Sequence, residues 1–368
     1  MSRSALHVWS LLWSITWLLY GGIPAGASEA PSTNVQQPST AAPAAPHIAL
    51  LLPTGSEAFA KAAQAVRTGF MDAAKKEPGR VLAVRLYPIS DDPQSAIDAY
   101  VQAVAAGARI VVGPLTRNGV TALATRREVL SVPTLALNVP EALVVYPSNL
   151  YTLSLHVEAE ARQVAQLALR DGRRRALTVT DQTPLGRRMR DAFVDEFELG
   201  GGSHVADHAY DPDSATLERI RQSAGLGDPE MVFLAVDAPR ARIIRPHLSA
   251  LPAYGTSQIN PGVNALIGFI DLGDVRFIDM PWALQPDHPA VSTYLRDAPR
   301  GADDLERLRA LGIDAFRVAQ ELLADNRDFE IDGVTGRLTL SRDGQVTRAL
   351  LVALITSGKL TVIGETRP

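Results

Sequence analysis

Two histidines, His204 and His208, lie close together in the sequence, and paired histidines are a common way to bind a metal ion. They fall on a predicted strand, where residues four apart share a face but lie about 13 Å from each other. The chain has no cysteine, and neither histidine has carboxylates nearby at metal-site spacing. We therefore predict no metal site, and the missing thiols also exclude disulfides and a cysteine nucleophile.

The motifs of common catalytic and nucleotide-binding sites are missing. No Gly-x-Gly-x-x-Gly follows a strand, and there is no Walker phosphate loop, no Gly-x-Ser-x-Gly elbow and no Ser followed three residues later by Lys. Ser357-Gly358-Lys359 is superficially like part of a penicillin-binding enzyme, but a turn between two strands explains it. Asp91-Asp92 and Asp303-Asp304 precede predicted helices, which favours capping. We predict no catalytic activity and no cofactor.

Small and polar residues follow several predicted strands. In an open α/β sheet the carboxyl ends of the strands line the crevice where ligands bind. Our candidates for a ligand cleft are Thr54, Gly55, Ser56, Gly113, Pro114, Leu115, Thr116, Asn138, Gln182 and Asp237, with Asp181 and Thr183 beside Gln182. Ordinary turn and helix-cap chemistry is the alternative interpretation of each residue.

Arginines are concentrated in one stretch of the second half of the chain. The candidates for docking a partner are Arg173, Arg174, Arg175, Arg187, Arg188 and Arg190, with Arg170 just before them. Guanidinium groups suit an acidic protein surface or an anionic glycan peptide. A solvated helix face is the alternative, since arginine is frequent throughout this sequence.

Strands that alternate with helices must position these residues. Continuous apolar runs such as 48–52 and 110–113 are typical of strands covered on both faces, and stretches such as 56–76 have helical spacing. This alternation predicts parallel sheets with right-handed crossovers. We expect an α/β fold of two Rossmann-like lobes, the first over residues 47–145 and the second over 146–368. Within the latter, a long helix over 303–323 precedes crossing segments and a hairpin-rich β tail that could return to the first lobe.

Composition and the N-terminal sequence indicate the compartment of the chain and the partners it lacks. The chain has 368 residues and a formal net charge of −4, and a net negative charge does not attract nucleic acid. Residues 1–27 have a charged start, a short apolar middle and small residues at the end, as a secretory signal peptide does. Cleavage after Ala27 is expected, and an uncleaved membrane anchor is the alternative. Residues 28–46 are predicted to be a flexible Pro/Ala/Ser-rich leader, and no later segment is predicted to span a membrane.

Six segments occur in the order of one known family. They are Ile48–Pro53, Arg109–Leu115, Leu135–Glu141, Leu185–Gly202, Leu308–Gln320 and Phe329–Leu340. The sequence from about residue 47 to the end resembles the C-terminal module of the LppC/LpoA family of penicillin-binding protein activators. The segments Leu-Ala-Leu-Asn-x-Pro-Glu and Phe-Glu-Ile-x-Gly-x-Thr-Gly are fairly specific, whereas Val-Gly-Pro-Leu also occurs in periplasmic amino-acid receptors.

The resemblance implies a type I periplasmic-binding-protein-like fold with two lobes around a cleft. It also implies no catalysis and a class A penicillin-binding protein, a bifunctional peptidoglycan synthase, as partner. Two departures stand out: the chain has no cysteine to carry the lipid of a lipoprotein, and the module is expected to follow the predicted leader directly, where the family has a helical-repeat domain. From this we expect a periplasmic protein that is not a lipoprotein.

Two functions follow as hypotheses. The first is a non-enzymatic periplasmic regulator that activates peptidoglycan synthesis by binding a synthase and shifting its conformational population. The alternative is a receptor of an uptake or sensing system that binds a solute or a muropeptide, a small wall fragment, in the interlobe cleft. An amino-acid receptor could recruit Thr116 and Asp237, although Pro114 and Leu115 place bulk in that loop.

Overall fold

The structure is a computed structural model that describes residues 45–76, 79, 82–141, 145–262, 270–294 and 304–367. The predicted signal peptide and nearly all of the predicted leader lie outside the described residues. None of the helices in these ranges is both long enough and apolar enough to cross a membrane.

Strands and helices alternate along the first half of the chain. They are β1 His47–Leu52, α1 Ala60–Lys76, β2 Ala83–Pro88, α2 Pro93–Ala105, β3 Ala108–Val112, α3 Arg117–Thr125, β4 Thr134–Ala136, β5 Leu150–Leu153, α4 Val157–Arg170, β6 Arg175–Thr180 and α5 Pro184–Leu199. The five apolar residues Ile48–Leu52 of β1 are almost completely buried, as expected for a strand covered on both faces.

The alternation continues through residue 244 and breaks down in the last third. The remaining elements are β7 Ser203–Ala209, α6 Ser214–Gly225, β8 Met231–Ala235, α7 Ala238–Ile244, β9 Ala253–Gly255, β10 Val275–Asp279, α8 Asp304–Leu323, β11 Glu330–Asp332, β12 Arg337–Leu340, β13 Gln345–Ala349, β14 Leu351–Thr356 and β15 Lys359–Glu365. Short helical turns cover Pro281–Leu284 and Pro289–Ser292. The predicted long helix at 303–323 corresponds to α8.

Two sheets carry the two lobes. The first has the strand order β11-β12-β13-β5-β4-β3-β1-β2, and the second has the order β15-β14-β10-β9-β8-β6-β7. Strands β1 to β5 pair in parallel, and β13 joins them by pairing in parallel with β5. The three strands β11–β13 therefore bring the chain back from the second lobe to the first sheet.

Within the described ranges the chain crosses between the lobes at three places, which we call the crossing segments. The first is residues 154–156, between β5 and α4; the second lies in the described residues that follow β10; the third is the buried Leu350 between β13 and β14. Because Leu150–Leu153 pairs with β4, it belongs to the first sheet. The chain thus crosses about ten residues after the boundary expected at 145–146, since the turn after Pro147 leads into one more strand of the first sheet.

Helices α1 and α8 cross at two glycines. A Cβ atom at Gly69 would overlap the carbonyl oxygen of Arg309, and one at Gly312 would overlap that of Val66. The missing side chains allow the helix backbones to touch, which no larger residue would permit. Phe70 and Phe316 pack edge to face beside this crossing, with ring centroids 5.3 Å apart. The last long helix of the chain is thereby part of the core of the first lobe.

Candidate functional site

Four buried charged residues lie where the crossing segments meet. Arg307 of α8 donates to both carboxylate oxygens of Asp279 at the end of β10, with Nη2 2.7 Å from Oδ2. Asp279 also accepts from the side chain of Asn260 at 2.8 Å and from the backbone N–H of Met280 at 2.7 Å. Its carboxylate is therefore fully satisfied although it is completely buried.

The second pair is Glu160 of α4 with Arg348 of β13. Arg348 Nη2 lies 3.6 Å from Glu160 Oε1, and the other oxygen of Glu160 accepts from the backbone N–H of Ser257 at 3.1 Å. Arg348 further donates to the carbonyls of Ser154 and Thr335, at 2.9 and 3.1 Å. Two arginines and two carboxylates thus connect β5, α4, β10, α8 and β13 through buried contacts; we call these four residues the crossing cluster.

Burial dominates the electrostatics of the crossing cluster. It raises the pKa of the Glu160 carboxyl group, although Arg348 acts in the opposite sense. Burial also lowers the pKa of Arg348. For Arg307, burial acts to lower the pKa, but the neighbouring Asp279 outweighs it and the pKa lies above its usual value. The paired charges therefore stabilise each other, and removing one would leave its partner buried and uncompensated.

A polar cavity lies beside the crossing cluster. It has a volume of about 180 Å³ and lies between α4 and β13, with His156, Arg162, Gln163, Gln345 and Arg348 in its lining. His156 Nδ1 lies 2.5 Å from Ser154 Oγ. Burial lowers the pKa of His156 to about 4, against the opposing charge of Glu158. The imidazole is neutral at neutral pH, so it adds no charge to this cavity.

In the first lobe, the predicted cleft residues bond mainly to each other and to nearby backbone. Ser56 is buried, and its hydroxyl accepts from the N–H of Phe59 just before α1. The side chain of Asn138 donates to the carbonyl of Leu115 at 3.0 Å and accepts from the N–H of Val139. Leu115 and Thr116 are 7% and 8% exposed. The structure thus brings the loops after β3 and β4 together, with few free polar groups.

The remaining first-lobe candidates are backbone features. Gly113 has φ +108°, and a Cβ there would overlap the carbonyl oxygen of Leu51, so the position requires glycine. Pro114 is buried, and its carbonyl accepts from the N–H of Leu137 at 2.9 Å. Gly55 donates its N–H to the carbonyl of Ile89 at 3.2 Å, and Thr54 is half-buried. These contacts are those of turns.

In the second lobe, the candidates cap helices. Asp181 accepts from the N–H of Thr183, whose hydroxyl in turn accepts from the N–H of Gly186 in the first turn of α5. Asp237 accepts from the N–H of Arg240 at 3.0 Å and pairs with its guanidinium group. Gln182 is exposed. Asp92 likewise caps α2 by accepting from the N–H of Gln94, and Asp303 lies outside the described residues.

One ion-pair bridge joins the lobes near the cleft. Glu158 in the first turn of α4 lies 3.4 Å from Arg117 of α3 and 3.6 Å from Arg188 of α5. Arg117 also donates to the carbonyl of Pro140 at 3.0 Å. A first-lobe arginine and a second-lobe arginine therefore share one carboxylate.

The predicted docking arginines form two separate groups. Arg173, Arg174 and Arg175 lie at the start of β6, whereas Arg187, Arg188 and Arg190 lie on α5, which follows the other end of that strand. The strand alone separates the groups by about 17 Å. Most of these side chains have internal partners, as the following contacts show: Arg174 with the carbonyl of Leu169, Arg175 with Asp228, Arg187 with the carbonyl of Gln182, Arg188 with Glu158, and Arg190 with Asp191 and Asp207.

The other residue patterns have local explanations. His204 and His208 face separate partners, the hydroxyls of Thr178 at 2.9 Å and Ser223 at 2.8 Å. Ser357 and Gly358 have φ of +52° and +71° and form the turn between β14 and β15. Within the described ranges no group of three or more histidines and carboxylates could hold a metal ion.

Comparison with known families matches most of the chain. The profile of the family described as "LppC putative lipoprotein" matches residues 36–358, which includes nearly all of both lobes. The chain belongs to the LppC family. The predicted resemblance is therefore confirmed.

Among curated proteins, this LppC chain is similar to the protein named "Penicillin-binding protein activator LpoA" of Photobacterium profundum. The two are 25% identical over 356 residues, which is 87% of this chain and 57% of that protein. A protein of the same name from Vibrio cholerae is 26% identical over 339 residues, or 82% of this chain and 55% of its own length. The chain thus spans little more than half the length of these relatives.

Solved structures share the fold. The LpoA C-domain of Haemophilus influenzae, described as a regulator of PBP1A, superposes with a TM-score of 0.73 at 21% identity and covers 86% of this chain and 99% of that one. A "putative branched-chain amino acid ABC transporter" of Chromobacterium violaceum has a TM-score of 0.70 at 37% identity, with 84% and 99% coverage. These likenesses confirm the predicted two-lobed, type I periplasmic-binding-protein-like fold.

The crossing cluster was not predicted from the sequence. Arg307 lies within the apolar periodicity of α8, and Asp279 ends an apolar strand, so each is a charge inside a hydrophobic pattern. Such charges are rarely buried unless they are paired, which is a usable signal. Nothing local identifies Asp279 as the partner of Arg307, because 28 residues separate them.

Proposed function

We propose that this LppC-family chain is a non-enzymatic regulator that binds a class A penicillin-binding protein and activates peptidoglycan synthesis. The observation that carries the proposal is its relation, over 87% of its length, to proteins named penicillin-binding protein activators. Because the chain covers little more than half of those relatives, the proposal concerns the two-lobed module by itself. Activation would follow from preferential binding to the active conformation of the synthase.

The internal contacts of the cleft support a role in protein binding rather than in catalysis. Asn138, Asp181 and Asp237 are engaged in loop and cap hydrogen bonds. A catalytic or ligand-binding group must be able to turn its donor or acceptor toward a substrate. We accordingly propose that the chain performs no chemistry on the wall and needs no cofactor.

The proposed location is the periplasm. The signal-like residues 1–27 support export, and the sequence has no cysteine that could carry a lipid. A cleaved, lipid-free form would be free to diffuse to its synthase. Mass determination of the protein recovered from the periplasmic fraction tests this, because cleavage after Ala27 fixes the expected mass.

The experiment that tests activation uses the secreted chain and a purified class A penicillin-binding protein from the same genome. Cross-linked product is measured with lipid II as substrate while the concentration of the chain is increased. We expect cross-linking to rise and to saturate when the two proteins are equimolar. The chain incubated with lipid II alone should give no product, and an unchanged rate across the titration would contradict the proposal.

Cleft variants separate the regulator from a receptor. Thr54→Ala with Gln182→Ala removes two side chains at the cleft that are not needed for a helix cap. If the synthase binds elsewhere on the surface, this variant should stimulate cross-linking as well as the wild type does. Loss of stimulation with an unchanged unfolding midpoint would instead place the functional surface in the cleft.

A second candidate function is a receptor for a branched-chain amino acid or another small solute. The likeness to the Chromobacterium violaceum protein favours it, since the two share 37% identity over nearly the whole of that chain. Against it, Thr116 is 8% exposed and Asp237 is paired with Arg240. Burial of Thr116 and the ion pair of Asp237 both oppose binding of the carboxylate and ammonium groups of an amino acid.

Calorimetric titration with leucine, isoleucine and valine tests the receptor function directly. The regulator proposal expects no heat of binding from any of them at concentrations up to about 1 mM, the weakest range of specific binding. Micromolar binding that is lost in the Thr54→Ala, Gln182→Ala variant would favour the receptor.

A further inference from the structure

A surface groove lies on the outer side of the second lobe. It has a volume of about 400 Å³ and lies between the C-terminal end of α4 and the strands β14 and β15. Leu167 and Val352 form a buried floor, and Ile363 of the edge strand is 48% exposed beside them. The groove thus offers an apolar surface about the size of a small ligand pocket.

The topology of the sheet explains why this surface is open. Helix α4 packs mainly on α5 and, within its sheet, on β9 and β10, whereas β14 and β15 extend the sheet beyond these strands. Strand β15 pairs with β14 and forms the edge of the sheet. The face of these last two strands is therefore covered less than the face of the central strands.

The charges around the groove are unequal. Its two carboxylates have partners: Asp171 pairs with Arg276 and accepts from the hydroxyl of Tyr254 at 2.7 Å, and Glu365 pairs with Arg337 at 2.7 Å. Arg170 and Arg367 are both exposed, and neither has an ion-pair partner within the described residues. Two uncompensated positive charges therefore flank the apolar floor.

This pattern differs from that of the predicted docking arginines. Arg175, Arg188 and Arg190 each have a carboxylate partner within the chain, so a partner protein would have to compete for them. Arg170 and Arg367 need no such exchange. Free guanidinium groups beside an apolar surface are typical of residues that dominate the free energy of protein association.

We propose that this groove docks an acidic segment of the synthase that carries one apolar side chain. The carboxylates of that segment would pair with Arg170 and Arg367, where a guanidinium group can donate two parallel hydrogen bonds. The apolar side chain would cover Ile363 and Val352. This inference rests on the proposed function and names the surface through which it acts.

The test measures the affinity of the full chain for an immobilised class A penicillin-binding protein. Reversing the two charges, Arg170→Glu with Arg367→Glu, should weaken binding about tenfold or more. The salt dependence of the dissociation constant should fall in the same variant, since two ionic contacts are lost. Ile363→Thr keeps a β-branched residue on the edge strand and should weaken binding severalfold without changing the charge.

A matched control carries the same change in net charge elsewhere. Arg126→Glu with Arg221→Glu reverses two exposed arginines far from the groove in sequence, one just after α3 and one on α6, each paired with a neighbouring surface carboxylate. This control should bind as the wild type does, with the same salt dependence. If the charge-reversed groove variant does not fold, Arg170→Gln with Arg367→Gln removes the two charges without adding carboxylates.

The outcomes separate the groove from the proposed function. If the wild type binds the synthase and both groove variants bind it with the same affinity, the groove is not the docking surface. The proposed regulator function would be unaffected by that result. Equal weakening in the control would also overturn the groove, because the effect would then be one of net charge. A wild-type chain that neither binds nor stimulates the synthase would overturn both.

Discussion

The two arginine-rich regions of this molecule use the same side chain in opposite ways. In the crossing cluster, Arg307 and Arg348 are buried and each has a carboxylate partner. At the groove, Arg170 and Arg367 are exposed and have no ion-pair partner in the described part of the chain. A buried guanidinium group depends on its partner to offset the loss of water, whereas an exposed one keeps its hydration and can exchange it for a new partner.

The role of an arginine in this chain follows from its surroundings rather than from the density of arginines in the sequence. The arginines between residues 170 and 190 are docking candidates because they are numerous, yet most of them have partners within the chain. Removing a buried partner should therefore cost stability, and removing an exposed charge should cost only binding. Three measurements test this distinction.

The largest effect is expected at Asp279. Asp279→Asn removes the negative charge opposite Arg307 while keeping the size of the side chain, so a buried guanidinium group is left uncompensated. The free energy of unfolding should fall by about 3–5 kcal/mol. Urea denaturation followed by circular dichroism measures this loss.

A double variant is the control for that measurement. Arg307→Met with Asp279→Leu removes both charges and should recover a large part of the loss, because no unpaired charge remains buried. A single Asp279→Asn variant as stable as the wild type would show that the pair is not desolvated.

An intermediate effect on the free energy of unfolding is expected when the pH is lowered through the range in which His156 takes up a proton. Burial lowers its pKa to about 4, whereas the unfolded chain has the ordinary value of 6.5. Between these values the unfolded state binds a proton that the folded state does not, so stability falls as the pH falls from about 6.5 to 4. The contribution lost between pH 7 and pH 4 is about 3 kcal/mol.

His156→Gln isolates this contribution from that of other groups, such as Glu160, whose raised pKa acts in the opposite sense. The difference in unfolding free energy between wild type and variant should change by this amount when both are measured at pH 7 and pH 4. A constant difference would mean that the imidazole is accessible to protons in the folded state.

The smallest effect is expected at Arg190. Arg190→Gln removes a partly exposed guanidinium group that pairs with Asp191 and Asp207 at 2.6 and 3.0 Å. Surface pairs of this kind contribute less than about 1 kcal/mol. Thermal unfolding should therefore differ little from the wild type, and a loss as large as that at Asp279 would erase the distinction between buried and exposed arginines.

Much of the fold could be predicted from sequence because its signals are local. The apolar run 48–52 and the amphipathic stretch 304–323 carry their own periodicity, and hairpin residues such as Ser357-Gly358 identify their turn. Leu150–Leu153 shows the limit. It pairs with β4 on one side and with β13, nearly 200 positions away, on the other, so the sequence near the boundary does not reveal which lobe it joins.

The site was harder to predict than the fold. Asn138 and Asp237 were candidates because they follow strands, and the structure shows that both hold loops or helix ends in place. Arg276, Ile363 and Arg367 line the groove but come from separate strands and the C-terminal end, so no motif joins them. A groove formed by distant segments becomes visible only after the chain is folded.

The glycine crossing of α1 and α8 also orders events during folding. The core of the first lobe needs Gly312 against Val66 and β13 beside β5, so it cannot close from its first five strands alone. Such contacts between distant parts of the sequence slow folding, because a long loop must be closed before they form. The lobe that comes first in the sequence is thus completed late, after α8 and β13 have joined it.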